Sequence, residues 1–362
     1  MAQSPMRVSL DGNSLINFSS NDYLGLATDD SIAQAAAKGA ARYGVGSGAS
    51  ALVTGYSGVH QCFEKELAQF LQRDRVLLCS SGYQANLAVL SSLAAGNDTI
   101  IQDRLCHASL IDGAKLSGAQ LRRYPHLDME GLERQLQRSS DGNTLLVTDG
   151  IFSMDGDRAP LDDISRISKE FDAWLVVDDA HGIGITGPQG RGCVAAANLG
   201  QDEVPVLVGT LGKAFGCAGA FIAGSDALID HIVNEGRTYI FSTALSPAIA
   251  EAGRAALKLV QSDQWRRDKL DELIAQFREG AREFGITLME SDTPIQPLLV
   301  GSAENALSMS AALQAKGMLV TAIRPPTVPV GASRLRITLS AGHQASDVTH
   351  LLEALSQCMS KP

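Results

Sequence analysis

The sequence predicts an α/β fold with a mostly parallel central sheet in a large domain and a smaller α+β domain at the C-terminus. Three observations predict it. Apolar runs of strand length alternate with segments of helical period through the middle of the chain. The alternation stops near Ser246-Pro247, and a long stretch with no strand follows. The 362 residues exceed one small core, and a hydrophobic content of 45% is enough to bury two.

Residues 76–79, 99–102, 144–148, 174–177, 206–208 and 220–223 read as strands. Their runs of Val, Ile and Leu lack polar alternation, as expected of strands covered on both faces. Residues 83–93, 127–137 and 161–171 are amphipathic at helical spacing and supply the covering layers. From 246 to 284 the chain reads as a long helix joining the two domains, ending at Gly285. Beyond it come a strand at 296–300, a helix at 303–316 and the loop Arg324-Pro325-Pro326-Thr327. A strand at 334–339 and a last helix to Cys358 complete the chain. The expected division is 1–45 as a short N-terminal segment, 46–245 as the large domain, and 246–362 as linker helix and small domain.

Composition narrows the function. The net charge of −10, with no basic block, disfavours a nucleic-acid partner. No run approaches the roughly 18 apolar residues of a membrane helix. The opening MAQSPMRVSLDG has no apolar core behind a basic cluster, so no secretory signal and a cytoplasmic location are expected. Cys62, Cys79, Cys106, Cys193, Cys217 and Cys358 form no CxxC pair and read as reduced core thiols, with no metal site.

Two glycine-rich segments invite a dinucleotide reading. Gly44-Val45-Gly46-Ser47-Gly48-Ala49 follows a helical Ala-rich stretch, not a strand. Gly182-Ile183-Gly184-Ile185-Thr186-Gly187 does follow a strand, but Pro188-Gln189-Gly190-Arg191-Gly192 comes next where a helix should open. An NAD(P)-binding oxidoreductase is therefore a remote alternative. A better signal is Thr210-Leu211-Gly212-Lys213-Ala214-Phe215-Gly216, where one lysine stands past a buried strand. A loop lysine is ordinarily just solvated. Here Asp178-Asp179-Ala180-His181 ends another such strand. An amine desolvated at that edge suits carbonyl chemistry, and a carboxylate opposite it suits a pyridinium nitrogen.

VDDAHGIG followed about thirty residues later by TLGKAFG resembles the α-oxoamine synthases, fold type I enzymes dependent on pyridoxal 5′-phosphate (PLP). The resemblance covers nearly the whole chain. It includes NFSSNDYLGL, GVGSGASALVTGYSGVH, CSSGYQAN, RLCHASL, GIFSMDGDRAPL and IRPPTVP in order. Single pieces are weak, and the ordered set is specific. LRRYPHLD and TAIRPPTVPVGASRLRITL favour the biotin-pathway member, which condenses L-alanine with a pimeloyl thioester and releases CO2 and the free thiol. The carrier is coenzyme A or a carrier protein. A sibling using glycine and another acyl-CoA, such as 2-amino-3-ketobutyrate CoA ligase, is the nearest alternative, and an aminotransferase the next.

The resemblance implies a role for each site residue. Lys213 carries PLP and moves the Cα proton. Asp178 pairs with the pyridine nitrogen, while Asp179 is structural. His107 stacks on the cofactor ring and reaches substrate. His181 and Ser153 lie near the phenolic oxygen, Gly82 and Tyr83 offer amides to the phosphate, and Thr210 adds a hydrogen bond. Ser242 or Thr243 reaches the phosphate of a partner subunit across a homodimer with shared sites. Thr327 contacts substrate, and Arg336 grips the amino-acid carboxylate. Gly44, Gly46 and Gly48 let backbone pass close to the site. The family's Arg-rich N-terminal helix has no counterpart before Val8, which implies a weakened grip on the acyl substrate.

Overall fold

The computed structural model describes residues 6–138 and 142–359; the opening Met1–Pro5 of the expected N-terminal segment lies outside the described residues. The chain forms two compact units. The larger takes Asp30–Phe152 and Arg158–Ser262. The other takes the chain up to Asp29, Ser153–Asp157, and the chain from Asp263 on.

The larger unit is built on a seven-stranded sheet in the order Arg75–Cys79, Ala220–Gly224, Val206–Thr210, Trp174–Asp178, Thr144–Asp149, Thr99–Asp103, Gln120–Tyr124. Ala220–Gly224 is antiparallel to both neighbours, and the other pairs are parallel, so six strands point the same way. Their C-terminal ends bring Asp103, Asp149, Asp178 and Thr210 to one edge. Every residue of Thr144–Asp149 and Thr99–Asp103 is buried, as the unbroken apolar runs require. Val89, Leu90, Ile100, Val147, Val176 and Ile222 belong to the core on one face of this sheet.

Gly82–Leu93 and Ala108–Ser117 are neighbouring helices on that core. Ser81 caps the first, its hydroxyl accepting from the Gln84 amide at 3.3 Å. The helix expected over 127–137 runs Met129–Leu136, because Leu127 takes φ 54° and Asp128 is the cap. The long helix expected over 246–284 is two, Pro247–Ser262 and Gln264–Glu283, separated at Asp263. The first packs on helix Asp30–Tyr43, where a Cβ on Gly39 would come within 2.9 Å of the Ala248 Cα. That pairing carries the larger unit past the change of pattern at Ser246.

In the smaller unit, Arg7–Leu10 and Asn13–Asn17 form a hairpin through Asp11-Gly12, both at positive φ (49° and 80°) as a tight primed turn needs. Met318–Leu319 adds to it in parallel. A second, antiparallel sheet orders Ile295–Gly301, Ser333–Thr338 and Thr321–Ile323. Helices Gln264–Glu283, Ala303–Ala315 and Ala345–Met359 accompany these sheets. All six cysteines are free; Cys79, Cys106 and Cys193 are buried, but Cys62 is exposed on helix Gly58–Leu71, not in the core. Among the described residues no helix is long and apolar enough to cross a membrane.

Candidate active site

Two carboxyl groups lie side by side at the sheet edge, since Asp149 and Asp178 are register partners at the ends of adjacent strands. Both are buried. Asp178 Oδ2 accepts from Asn86 Nδ2 at 2.6 Å, and Oδ1 accepts from the Ala180 amide at 3.0 Å. Asp149 Oδ2 accepts from the His107 amide at 2.9 Å. Burial, and then the neighbouring Asp178 charge, push the Asp149 carboxyl well above the usual carboxylate range.

His107 opens helix Ala108–Ser117 as its cap. Its Nδ1 lies 2.7 Å from Ser109 Oγ and 3.3 Å from the Ser109 amide. Ser109 Oγ also accepts from Asn86 Nδ2 at 2.8 Å. The residue remains exposed, leaving ring surface open. Desolvation of the ring lowers its pKa; the Asp178 charge opposes this and the Lys213 charge adds to it. One imidazole therefore feels both the carboxylate and the amine.

Lys213 is half-buried in the turn after Val206–Thr210, between buried Leu211 and buried Ala214-Phe215. That turn is pinned by the Leu211 amide on the Gly219 carbonyl (2.9 Å) and the Cys217 amide on the Leu211 carbonyl (2.8 Å). Thr210 Oγ1 donates to the Gly219 carbonyl at 3.1 Å and accepts from the Gly212 amide at 3.2 Å, so it braces the lysine turn. His181 is buried just past Asp178. Gly82 and Tyr83 occupy the first turn of their helix, where amides have no intrahelical acceptor. A Cβ on Gly82 would meet nothing within 4 Å, so the space before that turn is open. The exposed Tyr83 hydroxyl donates to Asp112. Ser242 Oγ accepts from Gln84 Nε2 at 3.2 Å within the same chain, whereas Thr243 is exposed.

The glycines after His181 do not open a helix. Residues 182–192 fold back on themselves, the Gly184 amide donating to the Gly190 carbonyl and the Gly192 amide to the Thr186 carbonyl, both at 2.7 Å. They surround Asp179. A Cβ on Gly182 would lie 2.0 Å from Asp179 Oδ1, one on Gly192 2.1 Å from Oδ2, and one on Gly150 2.6 Å from Oδ1. The segment that matches a dinucleotide fingerprint is therefore glycine-rich to admit a carboxyl, with no helix N-terminus to hold a pyrophosphate. A Cβ on Gly44, Gly46 or Gly48 would meet no other atom of this chain within 4 Å, and Gly44 and Gly48 take positive φ (86° and 73°).

Arg336, Ser153 and Thr327 belong to the smaller unit. Arg336 is buried on strand Ser333–Thr338. Nε donates to the Ser153 carbonyl (2.6 Å), Nη1 to Thr338 Oγ1 (3.0 Å) and Nη2 to Asn21 Oδ1 (3.1 Å). All three acceptors are neutral. Among the described residues no carboxylate pairs with this guanidinium, while neighbouring Arg334 pairs with Asp155 at 2.6 Å. A buried, unneutralised guanidinium is suited to an incoming anion. Thr327 is exposed in the turn after Pro325-Pro326.

Residues 13–355 match the aminotransferase class I and II family. The 8-amino-7-oxononanoate synthase of Nitrosococcus oceani is 53% identical over 350 residues, 97% of this chain and 93% of that protein. That of Alcanivorax borkumensis is 54% identical over 352 residues, 97% of this chain and 91% of that protein. The chain belongs to the 8-amino-7-oxononanoate synthase family, within the class I and II aminotransferases. Solved structures agree. Sphingomonas wittichii serine palmitoyltransferase superposes with TM-score 0.95 at 29% identity, over 99% of this chain and 91% of that one. The Francisella tularensis 8-amino-7-oxononanoate synthase gives 0.83 at 32%, over 95% and 97%. Several serine palmitoyltransferase structures hold PLP.

Against this family background, sequence reasoning overlooked Asn86, Ser109, Asp149 and Asn21 as individual residues. Asn86 and Ser109 lie inside the motifs CSSGYQAN and RLCHASL, and a Ser two places after His107 is a capping pattern.

Proposed function

We propose that this protein condenses L-alanine with a pimeloyl thioester to give 8-amino-7-oxononanoate, CO2 and free thiol, a step of biotin biosynthesis. The carrying observation is the Lys213, Asp178 and His107 group in a chain more than half identical to 8-amino-7-oxononanoate synthases along nearly its whole length. An aminotransferase or a glycine-using sibling is less well supported, because the high-identity relatives share one name.

The cofactor is PLP, and the residues present fit it. The larger unit offers one half-buried amine past a strand end, a buried carboxylate, an exposed imidazole face, and an open helix N-terminus at Gly82. Bound PLP supplies an electron sink beside the amino-acid Cα. Lys213 Nζ holds the group, and its freed amine takes the alanine Cα proton. Asp178 keeps a proton on the pyridine nitrogen. His107 covers the ring and reaches substrate, His181 and Ser153 serve the phenolic oxygen, Gly82 and Tyr83 serve the phosphate, and Thr210, once its hydroxyl turns from the Gly219 carbonyl, adds a hydrogen bond to the phosphate or the ring. Arg336 binds the alanine carboxylate, with Thr327 at the substrate. The new bond joins alanine Cα to the thioester carbonyl carbon, the thiolate leaves and takes up a proton, the carboxylate departs as CO2, and a proton takes its place on Cα.

The working form is a cytoplasmic homodimer with shared sites. Of the two hydroxyls considered, Thr243 is the free candidate to cross the interface, since Ser242 is bonded within its own chain. The carrier is coenzyme A or a carrier protein. The test is a panel of amino acids against thioesters, with absorbance followed on adding L-alanine. A protein that prefers glycine, or one without PLP that binds a nicotinamide nucleotide tightly, would overturn the reading. Borohydride should fix a pyridoxyl group on Lys213 and on no other lysine.

A further inference from the structure

We infer that Asn86 and Ser109 are positioning residues that hold His107 as the neutral tautomer protonated on Nε2, in step with an ionised Asp178. The inference rests on the reading of the site given above, and it follows from counting protons along one chain of hydrogen bonds. Asn86 Nδ2 has two hydrogens. One goes to Asp178 Oδ2 at 2.6 Å and the other to Ser109 Oγ at 2.8 Å. Turning the amide over would set its carbonyl oxygen against the carboxylate, so an ionised Asp178 fixes the Asn86 orientation. The Asn86 Oδ1 left behind is buried without a partner. That is the cost of committing both donors in one direction.

Ser109 Oγ, already accepting from Asn86, has a single hydrogen. Its near neighbour is His107 Nδ1 at 2.7 Å, and the Ser109 amide reaches the same atom at 3.3 Å. The Ser109 amide can only donate, so this bond makes Nδ1 an acceptor without a proton, and the Ser109 hydroxyl hydrogen is then free to point at the same atom. The ring is therefore neutral, with its one hydrogen on Nε2, free to donate to substrate. Every charged group facing the ring is consistent with this except one. The positive end of helix Ala108–Ser117 that His107 caps disfavours a cation, and so does Lys213 whenever its amine is free. Desolvation lowers the pKa further, and Asp178 alone opposes. Asp149 bonds the His107 backbone amide, not the ring.

Holoenzyme labelled with 15N-histidine tests this, with His107 assigned by the signal lost in His107→Gln. The expected wild-type spectrum at pH 8 has a bare Nδ1 and a protonated Nε2. Ser109→Ala removes the hydroxyl donor and should convert His107 to a mixture of tautomers. It should lower kcat roughly tenfold, with PLP content and the KM for alanine held. Asn86→Leu, which cuts the chain one residue earlier, should loosen the tautomer as well. A proton on Nδ1 in the wild type would overturn the inference, as would a Ser109→Ala spectrum identical to wild type. The nitrogen spectrum reports the tautomer whatever the substrate, so a wild type that makes no product counts against the function and not against the tautomer.

Discussion

Asp178 and Asp179 are adjacent in the chain and do opposite things. Asp178 accepts two donors and keeps capacity for a third, as a carboxylate meant to face a protonated nitrogen should. Asp178→Asn should retain PLP yet slow exchange of the alanine Cα proton by at least ~10²-fold, since a neutral amide cannot stabilise a protonated pyridine; exchange at the wild-type rate would remove it from that role. Asp179 is sealed among three glycines. Its Oδ2 accepts from the Cys193 amide at 2.6 Å, and its Oδ1 has no partner. Burial raises its pKa to about 7, with bonds from Cys193 opposing and Asp178 adding. The unfolded carboxyl titrates near 3.8, so between these values the folded chain binds the extra proton. Stability from this group therefore falls as pH rises from about 4 to about 7 and is level above. Asp179→Asn should flatten that limb of the denaturation midpoint against pH, and an unaltered slope would contradict it. Lys213 and Asp178 stood out in the sequence because one follows a strand and the other ends one. Asn86 and Ser109 were not, because their roles arise from bonds between segments far apart in the chain.

The helices Gly82–Leu93 and Ala108–Ser117 set the distance over which Asn86 and Ser109 meet. A Cβ on Gly113 would stand 3.1 Å from the Asn86 carbonyl oxygen and 3.2 Å from the Leu90 Cβ. Gly113→Ala should push the two helices apart by a few tenths of an ångström and lengthen the Asn86–Ser109 bond. The expected result is a fall in kcat of up to about tenfold with little loss of PLP, since small misplacements far from the reacting atoms are costly. Unchanged kcat would show that the pair tolerates the wider spacing. Periodicity located most elements near this site. It overlooked strand Gln120–Tyr124, whose two arginines and half-exposed face look like loop, because an edge strand is covered on fewer sides than a central one. It also merged Pro247–Ser262 with Gln264–Glu283, since one non-helical residue at Asp263 leaves no mark on an apolar pattern.

Val45, Val53 and Phe241 are 79%, 73% and 71% exposed, and the segments carrying them are joined by the Ser50–Thr243 bridge and the Ala244 amide on the Ala49 carbonyl. Apolar surface of this kind next to the exposed Thr243 is what a second copy would cover. Val53→Glu combined with Phe241→Glu should therefore yield a monomer in sedimentation and lose most activity; an active monomer would refute the shared site. The chain also passes between its two units at Asp29, Phe152, Asp157 and Ser262. The five residues Ser153–Asp157 supply the smaller unit with the Ser153 carbonyl for Arg336, the Asp155 carboxylate for Arg334, and the Gly156 carbonyl for Ser291 and Thr293. A gene fragment encoding 263–362 would leave two buried arginines and two buried hydroxyls without these acceptors, and would lack the hairpin strand Asn13–Asn17 that pairs with Met318–Leu319. Expressed alone it should show no cooperative melt by circular dichroism, and adding back a 153–157 peptide should not restore one, given the entropy of ordering a free pentapeptide. Neither unit is a continuous stretch of the gene, so recombination could not trade either one between genes as a single cassette.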